Sequence, residues 1–577
     1  MEEKSVNKKL MYRNFIYTTL TLNIISIVFG IFYYIFRFYD YVSNVLGFVL
    51  FVTFLFNWII TLNHDRIETV PRKTQNGLRI ISVVYLVYAI LAVLLMLGGN
   101  VLVQIEYEPS FRDNIAGLLL NMGGFFGMLV LGTIYSIFAT KQVTEETRVT
   151  SDPVTERTKM QRVGAIIGQI VCFLLLSLGV YTSITIFTGK IMWLSALSIA
   201  EYFISECALY LAIFFITATI LALRLIPKRK KVYFYSVLTI GLAISAVHLI
   251  PATMTTPEIV IANNRFTTAF GSSWQSIPSA DEKYMTRTPY SFSKYLLGMH
   301  PNDYVVERDV LYYNGSLSGE PKDENITLYF DVYMPTRNTT LLPGKNSTLI
   351  RFHGGSLQWY DKGLPNMQKM NYYFASQGYV VFDVQYGLYS AEPIPTGNAL
   401  TPSHVMGNFT IDDIMRHVGE FMQYLLNNNS YGANLNSVFI SGGSAGGLLT
   451  VTTGFTLVHA NYTFYGGLES SFAVKGIIPF YPWVQGAVGE IAGSPELLEP
   501  FKLVDSTSPP CLIFQGNLDH EVEPEETQLL QDAYDSASRP CATLPFYFAV
   551  HVSDMFFEGY YNQIFLYYME RFMYLYQ

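Results

Sequence analysis

Residues Ser437–Thr450 read SVFISGGSAGGLLT, and the reading of this stretch decides the fold of the C-terminal half. A short apolar run, Val438–Ile440, meets Gly-Gly-Ser-Ala-Gly-Gly (Gly442–Gly447) and then a helix-compatible apolar stretch. That is strand, tight turn, helix, with Ser444 at the apex. Gly442 and Gly446 complete G-x-S-x-G, the nucleophile elbow. Glycine is expected there because side chains in so sharp a turn would collide with the strand or the helix. The turn lifts the Ser444 hydroxyl to the top of a sheet and leaves the Ala445 N–H free to stabilise an oxyanion. So short a motif recurs by chance. Its weight comes from the strand before it, the helix after it and the partners found around it.

Outward from the elbow, from about residue 306, short β-rich runs alternate with helical stretches. Strands are predicted over 310–313, 327–333, 348–352, 380–384, 438–440, 476–480, 511–515 and 545–550, and helices over 365–376, 411–427, 445–459, 524–536 and 558–576. Alternating strands and helices imply a mostly parallel sheet with right-handed crossovers. A site in such a sheet lies at the carboxyl ends of the strands.

A serine hydroxyl needs a base, and the base needs an orienting acid. In this architecture the chain order is Ser, Asp or Glu, His. After Ser444 only His459, His520 and His551 remain. His459 lies in or at the end of the elbow helix and points away, whereas His551 follows the last apolar run, PFYFAV, and is the expected base. Asp519 follows CLIFQ in the turn Gly516–Asp519 and is the expected acid, with Asp535 and Asp554 as alternatives. His520 and Glu521 read as loop surface. TLIRFHGGS supplies the other half of an oxyanion hole: Gly354 and Gly355 follow an apolar strand, and small residues there let backbone N–H groups approach closely. His353 reads as a brace for that loop. Trp359 and Trp483 stand near enough to line an apolar pocket, though aromatics are more often core.

With these residues in place, the chain from about Tyr312 onward resembles the α/β-hydrolase fold. It is similar in particular to the esterase/lipase group that includes hormone-sensitive-lipase-like carboxylesterases and acetyl or feruloyl esterases. The resemblance rests on ITLYFDVYMP, STLIRFHGG, ASQGYVVFDVQYGL, IDDIMRHV, GGSAGG, CLIFQGNLDHEV and the His551 region. It implies serine-hydrolase chemistry on a carboxylic ester, with no cofactor. The chain departs from the family in three places. Ser356 replaces the third glycine of His-Gly-Gly-Gly. Gly387 stands where the family has the arginine of Tyr-Arg-Leu. Val552, instead of glycine, follows the histidine.

The N-terminal half reads differently. Of 577 residues, 50% are hydrophobic and only 14% charged, and the net charge of −8 includes no basic run suited to nucleic acid. Seven stretches, 15–36, 41–62, 80–103, 115–139, 163–187, 197–223 and 232–250, each reach the twenty or so apolar residues that cross a bilayer core of about 30 Å. The first is too long for a signal peptide and reads as a retained anchor. Lys and Arg crowd the N-terminal tail and every second loop, while the alternate loops offer only Arg37, Arg112 and Lys190. The positive-inside rule then puts the N-terminus in the cytosol and everything beyond Pro251 on the lumenal or extracellular side. Glycosylation sequons agree, at Asn314, Asn325, Asn338, Asn346, Asn408, Asn428 and Asn461, with none before residue 300. Glu201 and Glu206, in or near the sixth span, read as outer-interface residues, the alternative being an intramembrane functional site.

The expected architecture is therefore a seven-span all-α membrane domain (1–250), a connecting arm or cap segment (251–305), and an α/β-hydrolase domain (306–577) with a mostly parallel eight-stranded sheet. Cys172 and Cys207 read as packing residues within spans. Cys511 and Cys541, near the starts of neighbouring strands, leave a disulfide open. No Cys/His spacing suggests a metal site. The leading functional reading is hydrolysis of a small-molecule or lipid ester beside membrane lipids. Acyl transfer by the same triad and a ligand-binding outer domain of a seven-span receptor or transporter are the alternatives, and oligomeric state is open.

Overall fold

The computed structural model describes residues 2–35, 40–63, 72–105, 115–144, 159–190, 198–226, 230–299, 303–389, 401–459 and 491–577, with most of 462–486. Helices come first: α1 (Glu2–Ile35), α2 (Asp40–Asn63), α3 (Arg72–Ile105), α4 (Ile115–Thr144), α5 (Lys159–Thr188), α6 (Ser198–Ile204), α7 (Ala208–Leu225) and α8 (Lys231–Phe270). All but α6 are long and apolar enough to span a membrane, seven among the described residues, which fits a multipass membrane protein. Phe48, Ile80, Phe173 and Leu174 stand on the outside of the bundle, where lipid is the fitting solvent. Polar groups turn inward: the Asn23 and Asn57 amides hydrogen-bond each other reciprocally at 3.0 and 3.2 Å. Gly99 and Gly117 let α3 and α4 come so close that a Cβ on either would lie within 2.7 Å of the other's carbonyl oxygen.

Two spans differ from expectation. The sixth is broken at Ser205–Cys207, between α6 and α7, where Glu206 is turned inward and fully buried against the protein. The seventh does not stop at residue 250. Helix α8 continues through Pro251 and Pro257 to Phe270, and Gly271 at φ +76° ends it. Each proline removes one helical hydrogen bond, but the extension is held by packing. Phe266 meets Tyr568 at a tilt and Phe270 meets Phe572 edge to face, each with ring centroids 5.2 Å apart. The first part of the stretch read as a connecting arm is thus helix.

Short helices α9 (Ser279–Glu282) and α10 (Phe292–Leu297) lead into the sheet. Its strands are β1 (Tyr304–Asn314), β2 (Thr327–Pro335), β3 (Ser347–Phe352), β4 (Val380–Val384), β5 (Asn434–Gly443), β6 (Val474–Phe480), β7 (Cys511–Gly516) and β8 (Cys541–Phe546). The helices around them are α11 (Pro365–Ser376), α12 (Ile411–Asn427), α13 (Ala445–Thr456), α14 (Pro495–Leu498), α15 (Pro524–Ser536) and α16 (Tyr560–Tyr576). The sheet order is β1-β2-β4-β3-β5-β6-β7-β8, and β2 alone runs against its neighbours. This is an α/β-hydrolase domain after a helical membrane region. STLIRF, VVFDV and CLIFQG are buried along their whole length, because helices cover both faces of the parallel strands. Helix α12 opens with a capping box in which the Thr410 and Asp413 side chains each bond the other's backbone N–H.

The last strand is shifted from its expected place. It spans Cys541–Phe546 and not 545–550. Beyond it Phe548 takes φ +63°, and the Tyr547 N–H leaves the ladder to donate to Glu258 of α8 at 2.7 Å. Cys511 and Cys541 are register partners on β7 and β8, as neighbouring strands require, yet both are free, buried thiols. Paired residues on adjacent parallel strands point their Cβ atoms the same way, about 4.8 Å apart, whereas a disulfide needs Cβ atoms about 3.8 Å apart. Of the sequon asparagines, Asn325, Asn338, Asn408 and Asn428 are exposed and Asn314 and Asn346 half-buried. Asn461 lies outside the described residues.

Candidate active site

The elbow forms where β5 ends at Gly443 and α13 begins at Ala445, with Ser444 between them at φ +56°, ψ −121°. The strained conformation falls on the serine itself. The glycines serve a different need. A Cβ on Gly442 would stand 2.5 Å from the Phe352 carbonyl oxygen, and one on Gly446 only 2.2 Å from the same atom. They let the elbow press against the end of β3.

Asp519 and His551 converge on that serine. The Asp519 carboxylate is buried and accepts the Glu521 and Val522 N–H groups on Oδ1, at 3.0 and 2.9 Å. Its Oδ2 accepts His551 Nδ1–H at 2.9 Å, and the Ser444 hydroxyl donates to His551 Nε2 at 3.1 Å. The two supporting turns are tied together by the Leu518 N–H donating to the Ala549 carbonyl at 2.9 Å. Burial disfavours the imidazolium, but the Asp519, Glu521 and Asp554 carboxylates outweigh it and raise His551 above its usual 6.5. Glu521 Oε2 lies 3.7 Å from Nε2.

The other sequence-singled residues fall into place around this group. Gly354 runs alongside the elbow: a Cβ there would be 3.5 Å from Ser444 Cβ. Gly355, at φ +113°, turns so tightly that a Cβ would fall 2.2 Å from the Trp359 carbonyl oxygen. Ala445 heads α13, so its N–H is one of the first-turn donors that have no acceptor within the helix. His353 stacks on Tyr386 at 4.4 Å and its Nδ1–H donates to the Gly354 carbonyl; burial pulls its pKa down to about 4. His459 approaches the Leu503 carbonyl, away from Ser444. Asp535 lies on exposed α15, bonded by Gln531, and Asp554 accepts the Tyr481 hydroxyl at 2.5 Å; neither is the partner of His551.

Two of the departures from the family pattern carry strain. Ser356 and Val552 sit at φ +55° and +51°, a conformation open to glycine at no cost and an outlier for a β-branched residue. The third has a steric reason: a Cβ on Gly387 would clash with the His417 ring at 2.6 Å.

Sequence reasoning missed the floor of the site. The Tyr481 ring lies 4.7 Å from His551, edge to face, and its hydroxyl is held by Asp554, which also accepts from Asn366 at 3.1 Å. A signal was available, since Tyr481 follows β6 at the same sheet edge as Asp519 and His551. It also missed how far the membrane helices reach. Gln104 of α3 hydrogen-bonds the Met555 carbonyl and the Phe557 N–H, and Glu206 accepts the Phe556 N–H at 3.1 Å. With Glu258 on Tyr547, membrane-domain side chains hold the His551 segment from both sides. Glu206→Ala leaves a buried N–H without its acceptor and is expected to cost about 1–3 kcal/mol. A lower thermal midpoint of the detergent-purified protein checks this, and an unchanged midpoint refutes it.

No family model matches the chain, and no curated protein matches it. Solved structures similar to it include esterase 2 of Thermogutta terrifontis. Its apo form is 20% identical over 47% of this chain and 92% of that chain, at a TM-score of 0.34. The same enzyme phosphorylated by paraoxon is 21% identical over 44% and 86%, at 0.33, and the propionate-bound form is 21% identical over 43% and 85%, at 0.32. Likenesses this low carry no argument about activity; the assignment of the fold rests on the chain's own strand order and connections.

Proposed function

We propose that this protein is a membrane-bound serine hydrolase that cleaves a carboxylic ester. The observation that carries the reading is the unbroken chain Asp519–His551–Ser444, with bonds of 2.9 and 3.1 Å at the carboxyl edge of the sheet. Ser444 Oγ attacks the acyl carbon as His551 Nε2 takes its proton. Asp519 holds the tautomer that leaves Nε2 free and stabilises the imidazolium. The amides of Gly354 or Gly355 and Ala445 hold the oxyanion. The alcohol departs with the proton from His551, and water, activated by the same imidazole, releases the acyl group as an acid. Ser444 is the nucleophile, His551 carries each proton and Asp519 orients it, while the backbone amides hold the developing charge.

The hydrolase domain belongs on the lumenal or extracellular side. The Lys and Arg bias of the loops supports that orientation, as does the exposure of Asn325, Asn338, Asn408 and Asn428 among the sequon asparagines. The test is fluorophosphonate labelling of sealed membranes of defined sidedness carrying wild type or Ser444→Ala. Labelling of wild type alone, by an impermeant probe from the non-cytosolic face, is expected. Absence of labelling in folded wild type would remove the enzymatic reading, and labelling only from the cytosolic face would invert the topology.

A further inference from the structure

The place of the triad relative to the spans bears on the substrate. The apolar windows of α3 and α5 end at Gln104 and Thr188, and that of α7 begins at Ala208. All three ends touch the segments that carry the triad. Gln104 and Glu206 bond the backbone of Met555–Phe557, four to six residues past His551. His520, next to Asp519, donates through Nε2 to the Thr188 carbonyl at 2.9 Å, and Gly189 lies so close to Leu518 that a Cβ would be 3.0 Å from its Cβ. Phe187, exposed at the end of α5, meets the Phe548 ring at 5.9 Å. Tyr202 of α6 hydrogen-bonds Glu521, which flanks His551 Nε2. Helix α8 agrees: about twenty residues from Lys231 suffice to cross the core, and Glu258, bonded to Tyr547, lies beyond that point.

The carboxyl edge of the sheet therefore faces the bilayer. The Ser444 hydroxyl stands three hydrogen bonds and one residue from the end of a membrane helix, through His551, Asp519 and His520 to Thr188, where hydrocarbon gives way to headgroups. That zone is where an ester linking long acyl chains to glycerol holds its carbonyl, with the chains still in the core. An enzyme placed there receives such an ester by lateral diffusion, without the cost of drawing its acyl chains into water. Resting on the serine-hydrolase reading, we propose that the substrate is a long-chain acyl ester of a glycerolipid resident in the adjoining leaflet. Its acyl C–O bond is exchanged with water to give a fatty acid and the deacylated glycerolipid.

The test uses the full-length protein in vesicles of a diether phosphatidylcholine, which has no ester to cleave. Dioleoylglycerol or, in separate vesicles, dioleoylphosphatidylcholine is added as substrate, and p-nitrophenyl butyrate serves as the soluble comparator. Oleate release from either lipid is expected to fall about tenfold when the ester is diluted tenfold in the bilayer at constant bulk concentration. The two arms tell a neutral from a zwitterionic headgroup. Turnover of p-nitrophenyl butyrate without oleate release, or oleate release that ignores surface dilution, overturns the lipid proposal and leaves the hydrolase standing. Loss of both activities in folded protein overturns the hydrolase reading, and the lipid proposal with it.

Discussion

Replacing His551 with alanine is expected to lower kcat for ester hydrolysis on the order of a millionfold, with little change in KM. The hydroxyl of Ser444 is a weak nucleophile at neutral pH, and His551 Nε2, at 3.1 Å, is placed to take its proton. Without the base, what survives is binding and the oxyanion amides, which in serine hydrolases retain about 10^3 to 10^4-fold over water. Ser444→Ala should fall to the same floor, and the double variant no lower, because the two groups act in one step. Single-turnover measurement with an activated ester checks this. His459→Ala, whose imidazole approaches the Leu503 carbonyl instead of the site, is the control. Retention of activity within tenfold of wild type in His551→Ala would sink the assignment of the base.

Asp519→Asn is expected to cost about 10^4-fold at neutral pH, by a different route. The carboxylate accepts Nδ1–H and so keeps the proton off Nε2. An amide can present its NH2 instead and favour the wrong tautomer. The pH profile carries a second signature. Activity needs neutral His551, so it rises with pH through the histidine's pKa, which the carboxylates lift above 6.5 against the opposing effect of burial. Removing the charge of Asp519 leaves burial less opposed, and the acid limb of kcat/KM should move to lower pH. A limb that stayed in place would show that another group sets it.

Much of this site was legible in the chain because its parts obey local rules. Ser444, Asp519 and His551 each follow a buried apolar run, and in a parallel sheet all such ends lie on one edge. His551 shows the limit of the rule. The run PFYFAV was read as strand, yet the strand is Cys541–Phe546. The histidine reaches Ser444 only because the chain turns at Phe548 and is held there by Glu258. Val552 and Ser356 were recognisable as departures from a pattern, but the backbone strain they carry is a property of φ, which side-chain identity does not announce.

The membrane helices show the same division. Periodicity and length alone determined that seven segments can cross a bilayer, since that depends on how many consecutive residues avoid charge. The break at Glu206 and the run of α8 past Pro251 were beyond such counting, because each is decided by a partner hundreds of residues away. Glu206 leaves the helix to accept Phe556 N–H, and α8 persists where Tyr568 and Phe572 cover it. By itself, then, the sequence determined that seven apolar segments precede a mostly parallel α/β sheet, and it singled out Ser444, Asp519 and His551 after apolar runs, all of which follow from short-range pattern. Only the tertiary structure decided that the site's edge rests on the membrane helices, because contacts between Gln104, Glu206, Glu258 and the His551 segment exist only once the two halves have packed.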